Sequence, residues 1–205
     1  TNKSIATTGG CRTRLSDALD MAVMARYYPP DYSAEYSGAA RSGTKCSNEY
    51  GVSAALSHSF GKWMEINGKT GFGASEKRFY GDVSIDAAYS PEPKYGVDTS
   101  SIQIKLSAKE NIRLFPFLSL TFRLSERYRS YGQPFRTDIR TDFKFSWPMW
   151  SCNLRLNLLH CENLSGLSYF ETGYRSDRLS LWLRTGIFIV DDWDDRIYAY
   201  ERDAP

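Results

Sequence analysis

The sequence predicts an all-β fold, an antiparallel up-and-down transmembrane β-barrel present in part, with about ten or eleven strands. Three observations predict it. Apolar and polar residues alternate with a period of two along most of the chain. The alternating runs extend about 9 to 13 residues, close to the ~9–11 that cross a bilayer at a tilt and longer than the ~5–6 usual in soluble sheets. Aromatic residues, 15% of the chain, gather at the ends of these runs.

Taken in order, the first run sets Met21, Val23 and Ala25 against Asp20, Ala22 and Met24. The next sets Val52, Ala54 and Leu56 against Ser53, Ala55 and Ser57. Val83, Ile85, Ala87 and Tyr89 then alternate with Asp82, Ser84, Asp86 and Ala88. The pattern sharpens at Ile102, Ile104 and Leu106, opposed by Gln103, Lys105 and Ser107. Leu118, Leu120, Phe122 and Leu124 oppose Ser119, Thr121, Arg123 and Ser125. Ile139, Thr141, Phe143, Phe145 and Trp147 oppose Asp138, Arg140, Asp142 and Lys144. Leu154, Leu156 and Leu158 oppose Asn153, Arg155 and Asn157. Leu179, Leu181, Leu183, Ile187 and Ile189 oppose Ser180, Trp182, Arg184 and Gly186. A final strand is expected over Arg196 to Glu201, with Ile197 and Ala199 on one face and Tyr198 and Tyr200 on the other.

Turn signals separate the runs at Gly61-Lys62, Pro91-Glu92-Pro93, Lys109-Glu110-Asn111, Trp147-Pro148 and Ser176-Asp177. Residues Pro29 to Asn48 form the longest connection. Around 108–134 the runs and turns do not order into a single topology. Residues 1–205 read as one β-barrel region, a piece of a longer chain.

The polar faces carry full charges in mid-strand. Lys105, Arg123, Arg140, Asp142, Lys144, Arg155 and Arg184 are therefore candidates to line a lumen, either as ion pairs that fill it or as the wall of a solute path. The aliphatic faces would meet the lipid of an outer membrane. Aromatic pairs mark the two interfaces: Tyr27-Tyr28, Phe60 with Trp63, Phe79-Tyr80, Tyr128 with Tyr131, Trp147 with Trp150, and Trp193. The alternative is a soluble, lipocalin-like barrel with its apolar face inside and an apolar ligand in it.

Other classes of function find little support. With 26 basic against 24 acidic residues, the chain lacks the charge to grip nucleic acid by electrostatics. No apolar run is long enough for a transmembrane helix. The cysteines Cys11, Cys46, Cys152 and Cys161 contain no Cys-x-x-Cys pair; Cys11 and Cys46 either pair across a loop or stay free. The histidines, His58 and His160, share the apolar face. Ser57 and Ser59 flank His58 but point to the opposite face, so no Ser-His site forms. Asp191, Asp192, Asp194 and Asp195 read as a solvated loop rather than a calcium site, lacking the spacing of a calcium-binding loop. The Tyr27 to Tyr36 segment reads as an interface and a structured loop before a binding loop. No catalytic residue, metal site or cofactor is assigned, and the expected partner is the lipid bilayer.

Two stretches carry a resemblance. One runs Arg26-Tyr27-Tyr28-Pro29-Pro30-Asp31-Tyr32, then Ser47-Asn48-Glu49-Tyr50-Gly51, then Lys62-Trp63; the other is Asp195-Arg196-Ile197-Tyr198-Ala199-Tyr200-Glu201-Arg202-Asp203. Both resemble the barrel portion of Bacteroidota outer-membrane proteins with helix-hairpin-helix domains. The resemblance implies a barrel that continues beyond these residues, with strand edges completed by missing strands or a partner chain. Helix-hairpin-helix segments are not among these residues, so no nucleic-acid contact is implied for them.

Overall fold

The computed structural model describes residues 4–32, 40–42, 46–62, 77–93, 96–192 and 195–197. Ten strands run through them: β1 (Thr7–Ser16), β2 (Leu19–Tyr28), β3 (Glu49–Lys62), β4 (Lys77–Ser90), β5 (Ser101–Phe115), β6 (Leu118–Arg129), β7 (Phe135–Ser146), β8 (Trp150–His160), β9 (Leu164–Arg175) and β10 (Ser180–Ile189). They form a single sheet in chain order, each strand antiparallel to the next. Connections after β2, β4, β6 and β8 gather at one end of the sheet, the long-loop end. Those after β1, β5, β7 and β9 are tight turns at the other.

The strand faces follow the sequence alternation, and burial says which face is enclosed. Buried side chains of the strands, among them Arg26, Glu49, Asp142, Asn157, Tyr169 and Glu171, share the polar face. The aliphatic face is open: Leu183 is 68% and Ile187 70% exposed, against 2% for Asp142, 5% for Glu171 and 4% for Arg26. One sheet with no helix over it among the described residues can enclose a face only by curling around it. A soluble barrel around an apolar ligand needs the reverse arrangement, with the aliphatic residues inside and charges in water.

Aromatic contacts line the aliphatic face at both ends. At the long-loop end Tyr27 stacks on Tyr50, which touches Tyr89, and Tyr128 meets Phe135. At the tight-turn end Phe115, Phe117, Phe145 and Trp147 form a chain, and Trp150 packs on Tyr174. Tyr28 departs from the expected interface. Its ring lies on the polar face, buried, stacked on Tyr32, with its hydroxyl donating to the Ala40 carbonyl at 3.0 Å. Trp63 and Trp193 lie outside the described residues.

The ambiguous region resolves into two strands. Lys109-Glu110-Asn111 is not a turn but the interior of β5, laddered to β4 and β6. The chain reverses at 116–117 instead, where Phe115 pairs with Leu118 and Pro116 offers no amide to extend the ladder. Gly61-Lys62 likewise belongs to β3. Neither β1 nor β9 shows clean alternation. β1 carries few apolar residues on either face and is exposed throughout. β9 carries apolar residues on both faces, because Leu167 and Tyr169 pack on Leu159 and Ile197 inside the enclosed face. Ile197 lies outside any strand, so the strand expected from Arg196 does not begin there; 198–201 lie outside the described residues. All four cysteines are free: Cys46 is buried, Cys11 exposed on β1, and the two do not pair.

Candidate functional site

The enclosed polar face is the candidate site, and its charges fall into three groups. The first joins β2, β3 and β4. Arg26 Nε donates to Glu49 Oε1 at 2.6 Å, and its Nη1 and Nη2 donate to Asp86 at 2.6 and 2.9 Å. Both Arg26 and Glu49 side chains are 1% exposed. A pair so deep is tolerable only if its remaining hydrogen-bonding capacity is met. The Ser42 amide and hydroxyl supply that by donating to Glu49. Gly51 stands between Arg26 and its partner strand: a Cβ there would meet the guanidinium, with Nε 2.6 Å away. The bare backbone of Gly51 lets Arg26 cross β3 to reach β4.

The same contacts fold the β2–β3 connection inward. Ser42 caps Glu49, and Gln103 on β5 donates to the Ser42 carbonyl at 3.5 Å. Asn48, in the left-handed region at φ 53°, exchanges hydrogen bonds of 2.8 and 3.0 Å with the backbone of Glu92.

The second group lies on β7 to β10. Asp142 accepts from Arg140 at 2.8 Å and from Arg155 at 2.5 Å. Glu171 accepts from Arg184 at 2.7 Å. The Tyr169 ring lies between Arg155 and Arg184, whose guanidinium carbons sit 4.9 and 4.6 Å from its centroid. Nearby, Ile197 seats on Leu159 and Leu167, and Asp195 accepts the amides of Glu162 and Asn163 in the β8–β9 turn. Asp195 is thus a buried turn anchor, where the sequence suggested a solvated acid.

The third group is a half-open cavity of about 410 Å³ near the long-loop end. Lys105 on β5, Arg127 and Arg129 on β6, and Arg136 and Asp138 on β7 line it, with Ser42 at its rim. Arg129 donates to Gln103 at 3.0 Å, and Arg136 to the Arg196 carbonyl at 3.1 Å. The Nε of Arg127 is buried and has no acceptor among the described residues.

All seven sequence candidates lie on the polar face: Asp142 is buried, Arg140, Arg155 and Arg184 are half-buried, and Lys105, Arg123 and Lys144 are exposed. Arg140, Asp142 and Arg155 meet in one cluster and Arg184 in its neighbour, while Lys105 joins the cavity. Arg123 and Lys144 stand apart from both clusters, on the same face. The sequence reading missed Arg26, Glu49 and Asp86 as a set, and Arg127, Arg129 and Arg136. Continuing the Ser119 to Ser125 parity along β6 to Arg129 would have found two of the last three.

One ionisable pair lies on the aliphatic face. His58 on β3 and Glu110 on β5 meet at 3.1 Å across Gly81 of β4, the strand between them. A Cβ on Gly81 would run into the Glu110 carboxylate and the Lys109 carbonyl. The serines beside His58 lie on the other face, so the pair has no adjacent nucleophile. Among the described residues no group of His, Cys, Asp and Glu is arranged to hold a metal.

No family model matches the chain. No curated protein matches it either. Among solved structures, a KdgM porin in complex with disordered oligogalacturonate aligns over 89% of this chain and 84% of its own, at 7% identity and a TM-score of 0.37.

Proposed function

We propose that this chain is a sector of an outer-membrane β-barrel whose polar face lines a path for polar solutes while lipid meets its aliphatic face. A single observation carries the reading: the buried charges of the strands, Arg26, Glu49, Asp142 and Glu171, lie on the polar face, while aliphatic residues such as Leu183 and Ile187 are open on the other, the inverse of a water-soluble sheet. Strands of 10 to 15 residues are long enough to cross a bilayer at a tilt. Aromatic contacts at both ends suit its two interfaces. The strands would then belong to a barrel of the kind the Arg26–Tyr32 and Asp195–Asp203 stretches resemble, that of helix-hairpin-helix outer-membrane proteins.

Among the described residues β1 and β10 each pair on one side only. Unpaired backbone groups are not tolerated in hydrocarbon. These edges are completed by further strands or a partner chain.

Site-directed labelling tests the assignment of the faces. Leu154, Leu156 and Leu158 are expected to face lipid, and Arg155 the interior. In vesicles, with the four native cysteines replaced by serine, a cysteine at 155 should react with a water-soluble reagent and one at 156 should not. Ready labelling at 156 with 155 protected would reverse inside and outside and end this reading.

A further inference from the structure

We propose that the polar face of β5, β6 and β7 binds an extended oligoanion, one whose carboxylate or phosphate groups recur along its length. The proposal rests on the reading of that face as a lumen and adds to it a class of ligand.

Strand register places the charges. Lys105 on β5 pairs with Arg127 on β6, and Arg127 pairs with Arg136 on β7. Four residues along the strands, Lys109 pairs with Arg123, and Arg123 with Arg140. Like charges directly opposed across a sheet repel. Here two rows of cations stand side by side, and neither row contains an acid on these three strands. The row between them is Ser107, Ser125 and Asp138, whose short side chains leave a trough. At about 3.4 Å per residue the two rows stand roughly 14 Å apart. A lone phosphate or carboxylate can therefore reach one row, whereas a chain of them reaches both.

The acids beside the rows neutralise only part of their charge, with Arg140 of the second row held by Asp142. Asp86, opposite Lys105, accepts from Arg26 at 2.6 and 2.9 Å. Asp142 is shared between Arg140 and Arg155. Asp82 lies opposite Lys109, and Asp138 stands between the rows and lines the cavity; the cations outnumber both. Arg127 keeps a buried Nε without an acceptor among the described residues, and a guanidinium grips planar or tetrahedral oxyanions through paired N–H donors. The 410 Å³ cavity over the first row gives one such group room to enter.

The test titrates the full chain, folded in detergent micelles, with inorganic phosphate, a linear polyphosphate and a short polyacrylate, following the heat of binding. Both polymers are expected to bind more tightly than inorganic phosphate. The double variant Lys105→Gln/Arg127→Gln should weaken each polymer by about tenfold or more, as loss of charge-assisted bonds does. Lys109→Gln/Arg123→Gln should weaken the polymers and leave inorganic phosphate nearly unchanged, because only an extended ligand spans the rows. Arg12→Gln/Arg178→Gln removes the same charge on β1 and in the β9–β10 turn, away from β5 to β7, and should change polymer affinity by less than about twofold. The ratio of the two polymers' affinities tells phosphate from carboxylate as the preferred group. Lys105→Gln alone serves as the variant least exposed to misfolding, since its side chain makes no hydrogen bond or ion pair among the described residues; it should act in the same direction.

Polymer binding that ignores both row variants would overturn the proposal, as would an equal loss from Arg12→Gln/Arg178→Gln. Vesicle insertion is scored separately. A chain that binds the polymers but does not insert defeats the lumen reading and leaves the anion site; one that inserts but binds neither polymer does the reverse.

Discussion

Two sectors of the same polar face hold the same kinds of side chain and arrange them in opposite ways. Toward the tight turns of β7 to β10, two acids are closed by arginine: Asp142 by Arg140 and Arg155, and Glu171 by Arg184. On β5 to β7, toward the long-loop end, Lys105, Arg127 and Arg136 face one another instead. The first arrangement satisfies itself and fills space. In the second, the Nε of Arg127 has no acceptor among the described residues. A mid-strand arginine in a barrel is thus neither structural nor functional by type; its cross-strand neighbours decide.

The comparison breaks most visibly at Asp142. Asp142→Leu should destabilise the folded chain by about 3–5 kcal/mol, because Arg140 and Arg155 would then be left enclosed and facing each other. Denaturant unfolding in micelles measures it. A cost under about 1 kcal/mol, the range of an exposed pair, would mean that water reaches this sector as freely as the other.

One residue along the same strand the side chain points the other way. Phe143→Arg should cost about 2–4 kcal/mol in the membrane-inserted form if the site lies near the bilayer centre. Thr121→Arg, on the polar face beside Arg123, should cost far less. Equal costs would remove the lipid-facing stripe.

A smaller effect is expected at Gly51→Ala. The added methyl meets the Arg26 guanidinium and should cost about 1–3 kcal/mol, the usual range for forcing a methyl into a filled site. Adding Arg26→Met to the same chain should recover most of the methyl's own cost. Without that recovery, the clash lies with the backbone rather than with Arg26.

The smallest effect sharpens the comparison from the open side. Lys105→Gln should change stability by no more than about 0.5 kcal/mol, since it breaks no bond among the described residues. A larger loss in the same unfolding assay would place Lys105 with the closed, space-filling charges of β7 to β10.

Much of the fold was legible from local pattern. Leu154, Arg155 and Leu156 announce their faces by alternation alone, because successive strand residues must point to opposite sides. The long alternating runs foretold long strands, which the structure has at 10 to 15 residues. Legibility failed where a strand served two purposes. β9 hid its period because Leu167 and Tyr169 cover Ile197 on the polar side. Lys109-Glu110-Asn111 looked like a turn because its charges are polar on both faces, and only the pairing of Glu110 with His58 across Gly81 explains the outward acid.

The sequence by itself determined the strand class, the parity of most side chains and the inventory of charges on the polar face. Those are local properties, set by the pleat of each strand and needing no partner. The tertiary structure alone decided which charges meet. Arg26 reaches Asp86 through the gap at Gly51, Asp142 gathers two arginines, and Lys105, Arg127 and Arg136 fall into line. Each of those outcomes depends on the stagger between neighbouring strands. A two-residue shift would keep every side chain on its face and give every charge a different neighbour.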